Sequence, residues 1–351
     1  MIKVYPFPHQ LSKNPYLDQL YEPMQGMGIE ICRLRPRQIL FALLFGRGKQ
    51  VLHLHFFDQI IQHPNKFQTI ARSLIFLTLL ALLWLRKVKL VWTAHNLQPH
   101  ENYYSFWAFI VYHTVARWSS AIIAHSAAAK ALLTTRYGPL PHCQVIPIGN
   151  YIDRYGPWRE QAQSRVALGL PKQGKVFLHL GMLRPYKNIE GLITTFQRLA
   201  VDKRGILLIA GAESPLNYAK ELQNLAQNVT GVWLKPHFVP DSELPTYLAA
   251  ADIVVLPHRS LLTSATLLVA LSYARPVVAP AFGPICEIIN EGKEGFLFTP
   301  NDDNSLFTAL ERAIAAPNLA EMNKLALEKA RFFDWPTIAA KTITCYQQVW
   351  Q

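Results

Sequence analysis

Two cations lie directly before a predicted helix in the segment LRPYKNIE (183–190). A buried strand is predicted to end at Gly181, and Arg184 and Lys187 stand between that strand and a helix that starts near Asn188. A helix N-terminus attracts anions because it presents unpaired backbone N–H groups and the positive end of its dipole. Arginine binds phosphate through two parallel hydrogen bonds, and lysine acts as a compact point charge. The pattern predicts a phosphate site, with a solvated pair of surface charges as the alternative.

Hydroxyl side chains open a second predicted helix, in TSATLLVALSYARPVVAP (263–280). Ser264 and Thr266 follow a strand that ends near Leu256, where hydroxyl and backbone N–H groups can hold a diphosphate. Ordinary capping of the helix by Ser264 would account for one of these hydroxyls without any ligand. We therefore expect Ser264 and Thr266 to bind a diphosphate, and helix capping is the alternative.

Two histidines and a carboxylate crowd the loop HNLQPHE (95–101), which follows a predicted strand. Such loops carry ligand and catalytic groups in α/β folds. We expect His95 to bond a substrate hydroxyl or phosphate. The expected proton acceptor is Glu101, followed by His100 and then Asp58. No HExxH sequence is present, so no metal site is predicted. The histidines interpreted as structural are His53, His55, His113 and His125.

Short apolar runs alternate with longer helical stretches along the whole chain, in two series. Alternation of this kind predicts parallel sheets covered on both faces, and two series predict two doubly wound α/β domains. We place the first domain at 1–160, the second at 161–334, and a last helix at 335–351 that packs back on the first. Ligands of such sheets bind beyond the carboxyl ends of the strands, so the site is expected between the domains. The predicted strands are 2–5, 51–55, 90–93, 121–124 and 144–146, then 176–180, 206–209, 232–235, 253–256, 277–279 and 296–298. The predicted helices between them include 16–27, 66–85 and 126–137 in the first series and 189–200, 242–250 and 266–274 in the second.

The composition excludes a disordered chain and indicates an anionic partner. The chain has 351 residues, of which 50% are hydrophobic and 17% charged, and its four cysteines form no CxxC pair, which favours a reducing compartment. The net charge of +12 is concentrated in residues 1–165, which carry 18 Lys+Arg against 7 Asp+Glu. A basic half of this kind suggests an anionic lipid, a phosphorylated substrate or nucleic acid. No nucleic-acid module, GxGxxG, P-loop or GxSxG sequence is present, so nucleic acid is not an expected partner.

An apolar run at 73–85 ends at the basic residues Arg86 and Lys87. Its thirteen residues are too few to cross a bilayer, which needs about 20. The run is either a buried helix of an α/β domain or a helix that partly enters one leaflet, with Trp84 at the interface and Arg86 and Lys87 on anionic headgroups. Similar segments at 38–45 and 106–118 favour peripheral attachment to an anionic membrane surface. No export signal opens the chain, so we expect a monotopic protein on the cytoplasmic face of the inner membrane.

Together these segments resemble the GT-B glycosyltransferases, and more closely the bacterial exopolysaccharide β-mannosyltransferases of the type that adds the terminal mannose in xanthan assembly. The resemblance implies two Rossmann-like domains, a GDP-mannose donor, a polyprenyl-diphosphate-linked oligosaccharide acceptor, inversion at the anomeric carbon, and no metal or cofactor. It implies that Arg184 and Lys187 stabilise the leaving diphosphate and that His95 lies near the donor sugar. Further donor contacts are expected from Phe238 and Val239, and acceptor contacts from Asn14, Tyr16 and Asp58. The matching strings are NPYLDQLY (14–21), VLHLHFFDQIIQHPNK (51–66), HNLQPHE (95–101), LRPYKNIE (183–190), TSATLLVALSYARPVVAP (263–280) and DWP (334–336).

The sequence departs from the retaining GT-B class at two positions. The paired glutamates of that class would fall at Leu261 and Val269, and neither residue is acidic. Their absence supports inversion by direct displacement. Three alternatives stay open at this point: a retaining GT-B transferase that uses a UDP-sugar, a nucleotide-sugar 2-epimerase of similar fold, and a non-catalytic membrane subunit that binds a nucleotide-sugar.

Overall fold

The computed structural model describes residues 1–11, 14–99, 103–199 and 205–351. The chain divides into two units, one formed by residues 1–149 with 334–351 and the other by residues 150–333. The predicted first domain, which ended at residue 160, therefore includes the first residues of the second unit. The reason is local hydrogen bonding: the Asn150 backbone N–H donates to the Phe333 carbonyl at 2.8 Å, and its side-chain amide donates to the Ala330 carbonyl at 3.0 Å.

The first unit is built on a six-stranded sheet whose neighbouring strands are all parallel, in the order β2-β1-β3-β4-β5-β6. Its inner strands are buried along nearly their whole length, as expected for a sheet that is covered on both faces. Only β2 was missed by the sequence analysis, since a strand of three residues gives a weak signal. The strands are β1 (Ile2–Phe7), β2 (Ile29–Ile31), β3 (Lys49–Leu54), β4 (Lys89–Thr93), β5 (Ala121–Ala124) and β6 (Cys143–Val145).

Six helices of the first unit lie between or beside these strands. The helix predicted over 16–27 ends at Tyr21 and continues as a 3₁₀ turn at Glu22–Met24. Pro23 accounts for this break, since proline has no N–H for an α-helical hydrogen bond. The helices are α1 (Tyr16–Tyr21), α2 (Pro36–Phe45), α3 (Asp58–Ile61), α4 (Lys66–Leu85), α5 (Ser105–Trp118) and α6 (Ala127–Tyr137).

Helix α4 is longer than the apolar run that the sequence analysis singled out. It has 20 residues and a mean hydropathy of 1.7 over its most apolar stretch, of which 22% is buried. Among the described residues it is the one helix that is long and apolar enough to cross a membrane, so the prediction that this segment is too short was wrong. The helix continues before Ser73 because Asn65 caps it by accepting from the Gln68 N–H at 3.2 Å. Core helices of soluble proteins pass the same test of length and composition.

The second unit repeats the architecture, with six parallel strands in the order β12-β11-β10-β7-β8-β9. Its core lies between the sheet and helices α8, α9 and α13 and is built from Leu, Ile, Val and Phe side chains. The strands are β7 (Val176–Leu180), β8 (Ile206–Ala210), β9 (Val232–Lys235), β10 (Ile253–Val255), β11 (Val277–Pro280) and β12 (Gly295–Phe298). The helices are α7 (Gln161–Ala167), α8 (Ile189–Arg198), α9 (Tyr218–Ala226), α10 (Leu244–Ala250), α11 (Ala265–Ser272), α12 (Gly283–Cys286), α13 (Asp303–Ala315) and α14 (Leu319–Arg331).

The last helix, α15 (Trp335–Gln348), belongs to the first unit, where it packs on α1 and the following 3₁₀ turn. Trp335 lies against the backbone of Gly149, where a Cβ atom would come within 2.3 Å of the indole ring. Tyr346 is fully buried and bonds His53 of β3. The C-terminal segment is therefore part of the core of the first unit.

Candidate functional sites

Lys187 is a buried cation at the carboxyl end of β7. After β7 the chain turns at Gly181, whose φ is +120°, and a 3₁₀ segment over Pro185–Lys187 leads into α8. A Cβ atom at Gly181 would lie 3.0 Å from Lys187 Nζ and 3.9 Å from Thr266 Oγ1. The absence of a side chain at residue 181 thus lets the ammonium group approach the backbone, and it brings Lys187 and Thr266 to the same strand end.

Among the described residues, no carboxylate forms an ion pair with the cations at this strand end. Lys187 is 6% exposed, and none of the ion pairs among the described residues includes Lys187 or Arg184. Burial, and then the charge of Arg184, lowers the pKa of Lys187 to about 8. Arg184 Nε is itself buried and has no hydrogen-bond partner among the described residues. Buried cations of this kind favour an anionic ligand, which would supply the missing charge and hydrogen bonds.

Two histidines that the sequence analysis did not single out flank the same place. His179 lies on β7 and bonds the Val255 carbonyl through Nδ1 at 3.1 Å, and His258 follows β10. Burial, followed by the charge of Lys187, lowers the pKa of both histidines, that of His179 to about 3. His179 Nε2 and His258 Nδ1 have no partner among the described residues. The sequence signal that could have identified His258 is its position just after a buried strand.

Arg259 holds the turn that carries Lys187. Asn188 has a left-handed φ of 54°, and its Oδ1 accepts from Arg259 Nε at 3.1 Å and Nη2 at 2.8 Å. The Arg259 backbone N–H donates to the Tyr186 carbonyl at 3.0 Å. The loop after β10 is thereby tied to the loop after β7, which fixes Lys187 before any ligand arrives.

The remaining residues predicted to bind the donor are Ser264, Phe238 and Val239, and their contacts in the structure differ from those of Lys187. Ser264 caps α11 by accepting from the Leu267 N–H at 3.1 Å, as the capping alternative required. Phe238, which is 42% exposed, and the buried Val239 follow β9, the edge strand of the sheet and two strands away from β7. Val269, at one of the positions where retaining enzymes carry glutamate, is buried on α11. Donor contacts by Ser264, Phe238 and Val239 stay predictions.

In the first unit, histidines follow three neighbouring strands at one edge of the sheet. His55 comes after β3, His95 after β4 and His125 after β5, and these strands are adjacent and parallel. His55 Nδ1 lies 3.4 Å from His95 Nε2, and His95 Nδ1 lies 3.3 Å from His125 Nε2. The structure therefore joins three side chains that are 30 or more residues apart in the sequence.

His55, His95 and His125 form a row of hydrogen-bonded rings, and the Ile146 carbonyl lies at one end of it. This carbonyl determines which nitrogen of each ring carries the proton. The Ile146 carbonyl can only accept, so His125 Nδ1–H donates to it at 2.9 Å. His125 Nε2 must then accept from His95 Nδ1–H, and His95 Nε2 from His55 Nδ1–H. The Tyr21 hydroxyl completes the row by donating to His55 Nε2 at 2.8 Å, and it also lies 2.8 Å from His53 Nδ1.

His95 is buried within this row, with both ring nitrogens within hydrogen-bonding distance of another histidine. Its ring stacks on Phe56 at 4.1 Å and meets the edge of Tyr16 at 4.8 Å. Tyr16 is also buried and packs against Trp335 of the C-terminal helix. In this structure both side chains act in packing, so the donor contact of His95 and the acceptor contact of Tyr16 stay predictions.

The buried histidines make the first unit sensitive to acid. Burial lowers the pKa of His53 to about 3 and that of His125 to about 4, and it lowers those of His55 and His95 well below 6.5. Between the folded and unfolded pKa values the unfolded chain binds more protons, so stability falls as the pH drops below about 6.5. We expect the free energy of unfolding, measured with urea from pH 7.5 to 5, to stay nearly level down to about pH 6.5 and then to fall by about 1.4 kcal/mol per pH unit for each titrating histidine.

A matched pair of variants tests the source of this acid sensitivity. His125→Gln keeps an amide donor for the Ile146 carbonyl but removes one titrating ring, so the pH slope of the unfolding free energy should become smaller. His142→Gln changes an exposed histidine of the same unit and should leave the slope unchanged. An unaltered slope in His125→Gln would contradict the assignment.

Asp58 is the carboxylate at the edge of the sheet that carries the histidines. It opens α3, three residues after His55, and accepts a hydrogen bond from the buried hydroxyl of Tyr112. Burial raises the pKa of Asp58, against the opposite effect of hydrogen bonds from Tyr112 and Asn96. A partly buried carboxylate of this kind suits general-base chemistry.

The other residues predicted to act near this edge are placed as follows. Asn14 is exposed, and its Oδ1 accepts from the Tyr16 N–H at 3.0 Å, so it fixes the start of α1. His100 and Glu101 lie outside the described residues, and their catalytic roles stay predictions. Within the described ranges no group of three or more His, Cys, Asp or Glu side chains is arranged to hold a metal ion.

Comparison with known proteins covers both units. The family model described as Glycosyltransferase Family 4 matches residues 28–154, and the one described as Glycosyl transferases group 1 matches residues 160–329. The GDP-mannose:glycolipid 4-beta-D-mannosyltransferase of Xanthomonas campestris pv. campestris is 29% identical over 309 residues, which are 87% of this chain and 82% of the relative.

Solved structures with the same fold cover the whole chain. Sucrose-phosphate synthase from Thermosynechococcus elongatus superposes with a TM-score of 0.76 at 17% identity, over 100% of this chain and 99% of the other. Anabaena HepE in complex with UDP superposes with a TM-score of 0.75 at 18% identity, over 99% of each chain. At these identities the likeness is one of fold.

Proposed function

Because the chain is a glycosyltransferase of the GT-B type, we propose that it transfers mannose from GDP-mannose to a polyprenyl-diphosphate-linked oligosaccharide in exopolysaccharide synthesis, with inversion. The GT-B fold and the resemblance to the xanthan-type mannosyltransferases, both inferred from the sequence, are confirmed. A GDP-mannose donor and a glycolipid acceptor are what the Xanthomonas relative is named for, and the polyprenyl diphosphate and the role in exopolysaccharide synthesis follow from the resemblance of the sequence segments. The observation that carries the proposal is the buried Lys187 and half-buried Arg184, which have no carboxylate partner among the described residues.

The donor diphosphate is proposed to lie at the end of β7. There Lys187 Nζ and Thr266 Oγ1 lie near the Gly181 backbone, and Arg184 Nε is a buried donor without a partner among the described residues. As the anomeric C–O bond breaks, the leaving nucleoside diphosphate takes the electron pair, and negative charge grows on its phosphate oxygens. Cationic donors that are fixed in advance stabilise that charge, and one well-placed donor is worth about 2.7–4 kcal/mol. Lys187 meets this condition because Arg259 and Asn188 fix its turn.

The acceptor hydroxyl is proposed to attack from the first unit, where a base takes its proton. Asp58 is the described side chain that fits this role, since burial raises the pKa of its carboxylate and Tyr112 orients it. A new C–O bond forms on the face opposite to the leaving phosphate, which inverts the anomeric configuration. Glu101 was expected first from the sequence, and variants of the two carboxylates separate them.

Exposed apolar side chains on three helices support attachment to a membrane surface. The exposed fraction is 67% for Phe41 on α2, 65% for Trp84 on α4 and 68% for Phe106 on α5. Arg86 and Lys87 follow directly after α4. Aromatic side chains beside basic residues are typical of proteins that lie on an anionic bilayer. We propose peripheral attachment to the cytoplasmic face of the inner membrane through this surface.

A thermal-shift experiment with nucleotides tests the donor class. GDP at about 100 times its Kd should stabilise the protein by about 2.7 kcal/mol and raise its Tm, whereas UDP at the same concentration should have little effect. GDP-mannose and a lipid-linked oligosaccharide should then yield a β-linked mannoside by NMR. A Tm raised by UDP alone, or an α-linked product, would favour the retaining alternative and overturn this proposal.

A further inference from the structure

An apolar groove runs between α2 and α4 on the first unit. Its volume is about 370 Å³, within the range of sites that hold small molecules. Leu40 and Leu43 of α2 face Ile75 and Leu79 of α4 across it, and Phe7 and Leu54 lie at its base. The apolar part of this lining favours a hydrocarbon ligand, because the hydrogen bonds of a polar group to water would not be replaced there.

Two arginines are the only charged residues that line the groove in the described part of the chain. Arg37 is the second residue of α2, and Arg72 lies in the second turn of α4. Neither belongs to an ion pair among the described residues, and Arg72 makes a long contact of 3.5 Å with Gln68. The groove therefore combines a hydrocarbon lining with two guanidinium groups that are available to an anion.

The direction of the helices places these arginines near the proposed catalytic edge. In a parallel sheet, a helix that follows a strand begins at the carboxyl edge of the sheet, so the N-terminal turns of α2 and α4 lie there. Phe7 and Leu54 are paired at the ends of β1 and β3, and the groove also reaches Ile60, two residues after Asp58. The charged end of the groove thus lies toward Asp58.

The opposite end of the groove lies toward the C-terminal ends of α2 and α4, where Trp84 and the basic residues Arg86 and Lys87 are located. At the C-terminal ends of α2 and α4 lies a second, open depression of about 550 Å³, lined by Leu44, Phe45, Arg47, Leu82 and Arg86. Phe45 is 69% exposed there, and the neighbouring Leu85 is 68% exposed. A hydrocarbon chain in the groove could therefore continue from the carboxyl edge toward the bilayer.

We propose that this groove binds the isoprenoid chain of the acceptor lipid, with its diphosphate held by Arg37 and Arg72. The inference rests on the proposed function, and it names the part of the protein that holds the acceptor. The diphosphate of the acceptor is esterified at both ends and carries two negative charges, against one on the phosphodiester of a membrane phospholipid, so it matches two guanidinium groups better. The bound lipid then presents the attached sugar toward Asp58, while the far end of its chain stays in the membrane.

Calorimetry with farnesyl diphosphate as the probe tests the groove. Titrations are made with GDP at saturation and again in Lys187→Met, so that the diphosphate site of the second unit contributes no heat. The wild-type protein should bind the probe, and inorganic diphosphate and farnesol should each bind at least about tenfold more weakly. Leu79→Trp, which fills the groove, and the double variant Arg37→Ala/Arg72→Ala should each weaken binding by about tenfold or more.

Matched variants on the same helix control for folding and for general surface effects. Leu74→Trp adds the same bulk at an exposed position that does not line the groove, and Lys66→Ala removes an exposed charge from the first turn of α4. Both should bind farnesyl diphosphate within about twofold of the wild type. An unchanged Tm in each variant shows that the fold is intact.

Several outcomes would overturn the inference. Unchanged affinity in Leu79→Trp would show that the chain binds elsewhere, and equal binding of inorganic diphosphate would show that charge alone is recognised. Equal binding of dihexanoyl phosphatidylglycerol, a phosphodiester, would assign the groove to membrane phospholipid. If the protein transfers mannose from GDP-mannose but does not bind farnesyl diphosphate, the groove is not the isoprenoid site, and the proposed function still holds. Binding without transfer would refute the proposed function and leave an isoprenoid-diphosphate site.

Discussion

Replacing Asp58 by asparagine should lower kcat by about 10²-fold or more, because the acceptor hydroxyl then loses the group that takes its proton. GDP binding should be unchanged, since the donor diphosphate is proposed to contact the second unit. Asparagine has nearly the same size and can still bond the Tyr112 hydroxyl, so the fold should tolerate the change. Steady-state kinetics with GDP-mannose and a lipid-linked acceptor, together with calorimetry of GDP binding, provide the measurement.

Three further variants sharpen this experiment. Asp18→Asn removes an exposed carboxylate that pairs with Arg33 and should leave kcat within about twofold of the wild type. Glu101→Gln tests the residue expected first from the sequence. If Glu101→Gln loses turnover and Asp58→Asn does not, the base is Glu101.

Tyr112→Phe distinguishes a catalytic role of Asp58 from a purely structural one. Only a catalytic role would change the pH dependence of kcat/KM in this variant. Burial raises the pKa of Asp58, and the hydrogen bond from Tyr112 lowers it. Removing that hydroxyl should therefore raise the pKa further. A general base must be deprotonated, so kcat/KM should fall on the acidic side at a higher pH in Tyr112→Phe than in the wild type. If kcat/KM falls at the same acidic pH in Tyr112→Phe and in the wild type, Asp58 is not the general base.

Replacing Lys187 by methionine should lower kcat by about 10²-fold and weaken GDP binding. The loss corresponds to one fixed donor to the leaving phosphate, about 2.7–4 kcal/mol, and methionine fills a similar volume beside Gly181. Lys220→Met changes an exposed lysine of α9 in the same unit and serves as the control. Normal GDP affinity and turnover in Lys187→Met would remove this residue from the site.

The pH dependence of GDP binding gives a second test of Lys187. Burial and the charge of Arg184 lower the pKa of Lys187 to about 8 in the free protein, and only the protonated amine attracts a diphosphate. GDP affinity in the wild type should stay level up to about pH 8 and fall above it, by at most tenfold per pH unit. Binding should take up a proton in that upper range. Lys187→Met should show neither effect, and a wild-type affinity that is level to pH 9.5 would contradict the assignment.

Much of the secondary structure follows from the sequence alone. The strands predicted at 121–124, 176–180 and 232–235 and the helix predicted at 66–85 have the predicted bounds. The three strands are short runs in which apolar residues predominate, and the helix is a 20-residue stretch without proline or glycine, so the local pattern identifies each element. The short strand β2 and the end of α1 were missed because three residues carry little periodicity, and because Pro23 interrupts the helical pattern.

The sequence by itself determined the class of fold, the cation pair at Arg184 and Lys187, and the family. These are properties of short segments, in which hydrophobic period, turn residues and charge lie within a few positions of one another. Only the tertiary structure decided that His55, His95 and His125 form one hydrogen-bonded row, that Lys187 is buried against Gly181, and that α2 and α4 enclose a groove with two arginines at one end. Such arrangements depend on which strands become neighbours in the sheet, and strand order is set by packing between segments that are far apart in the chain.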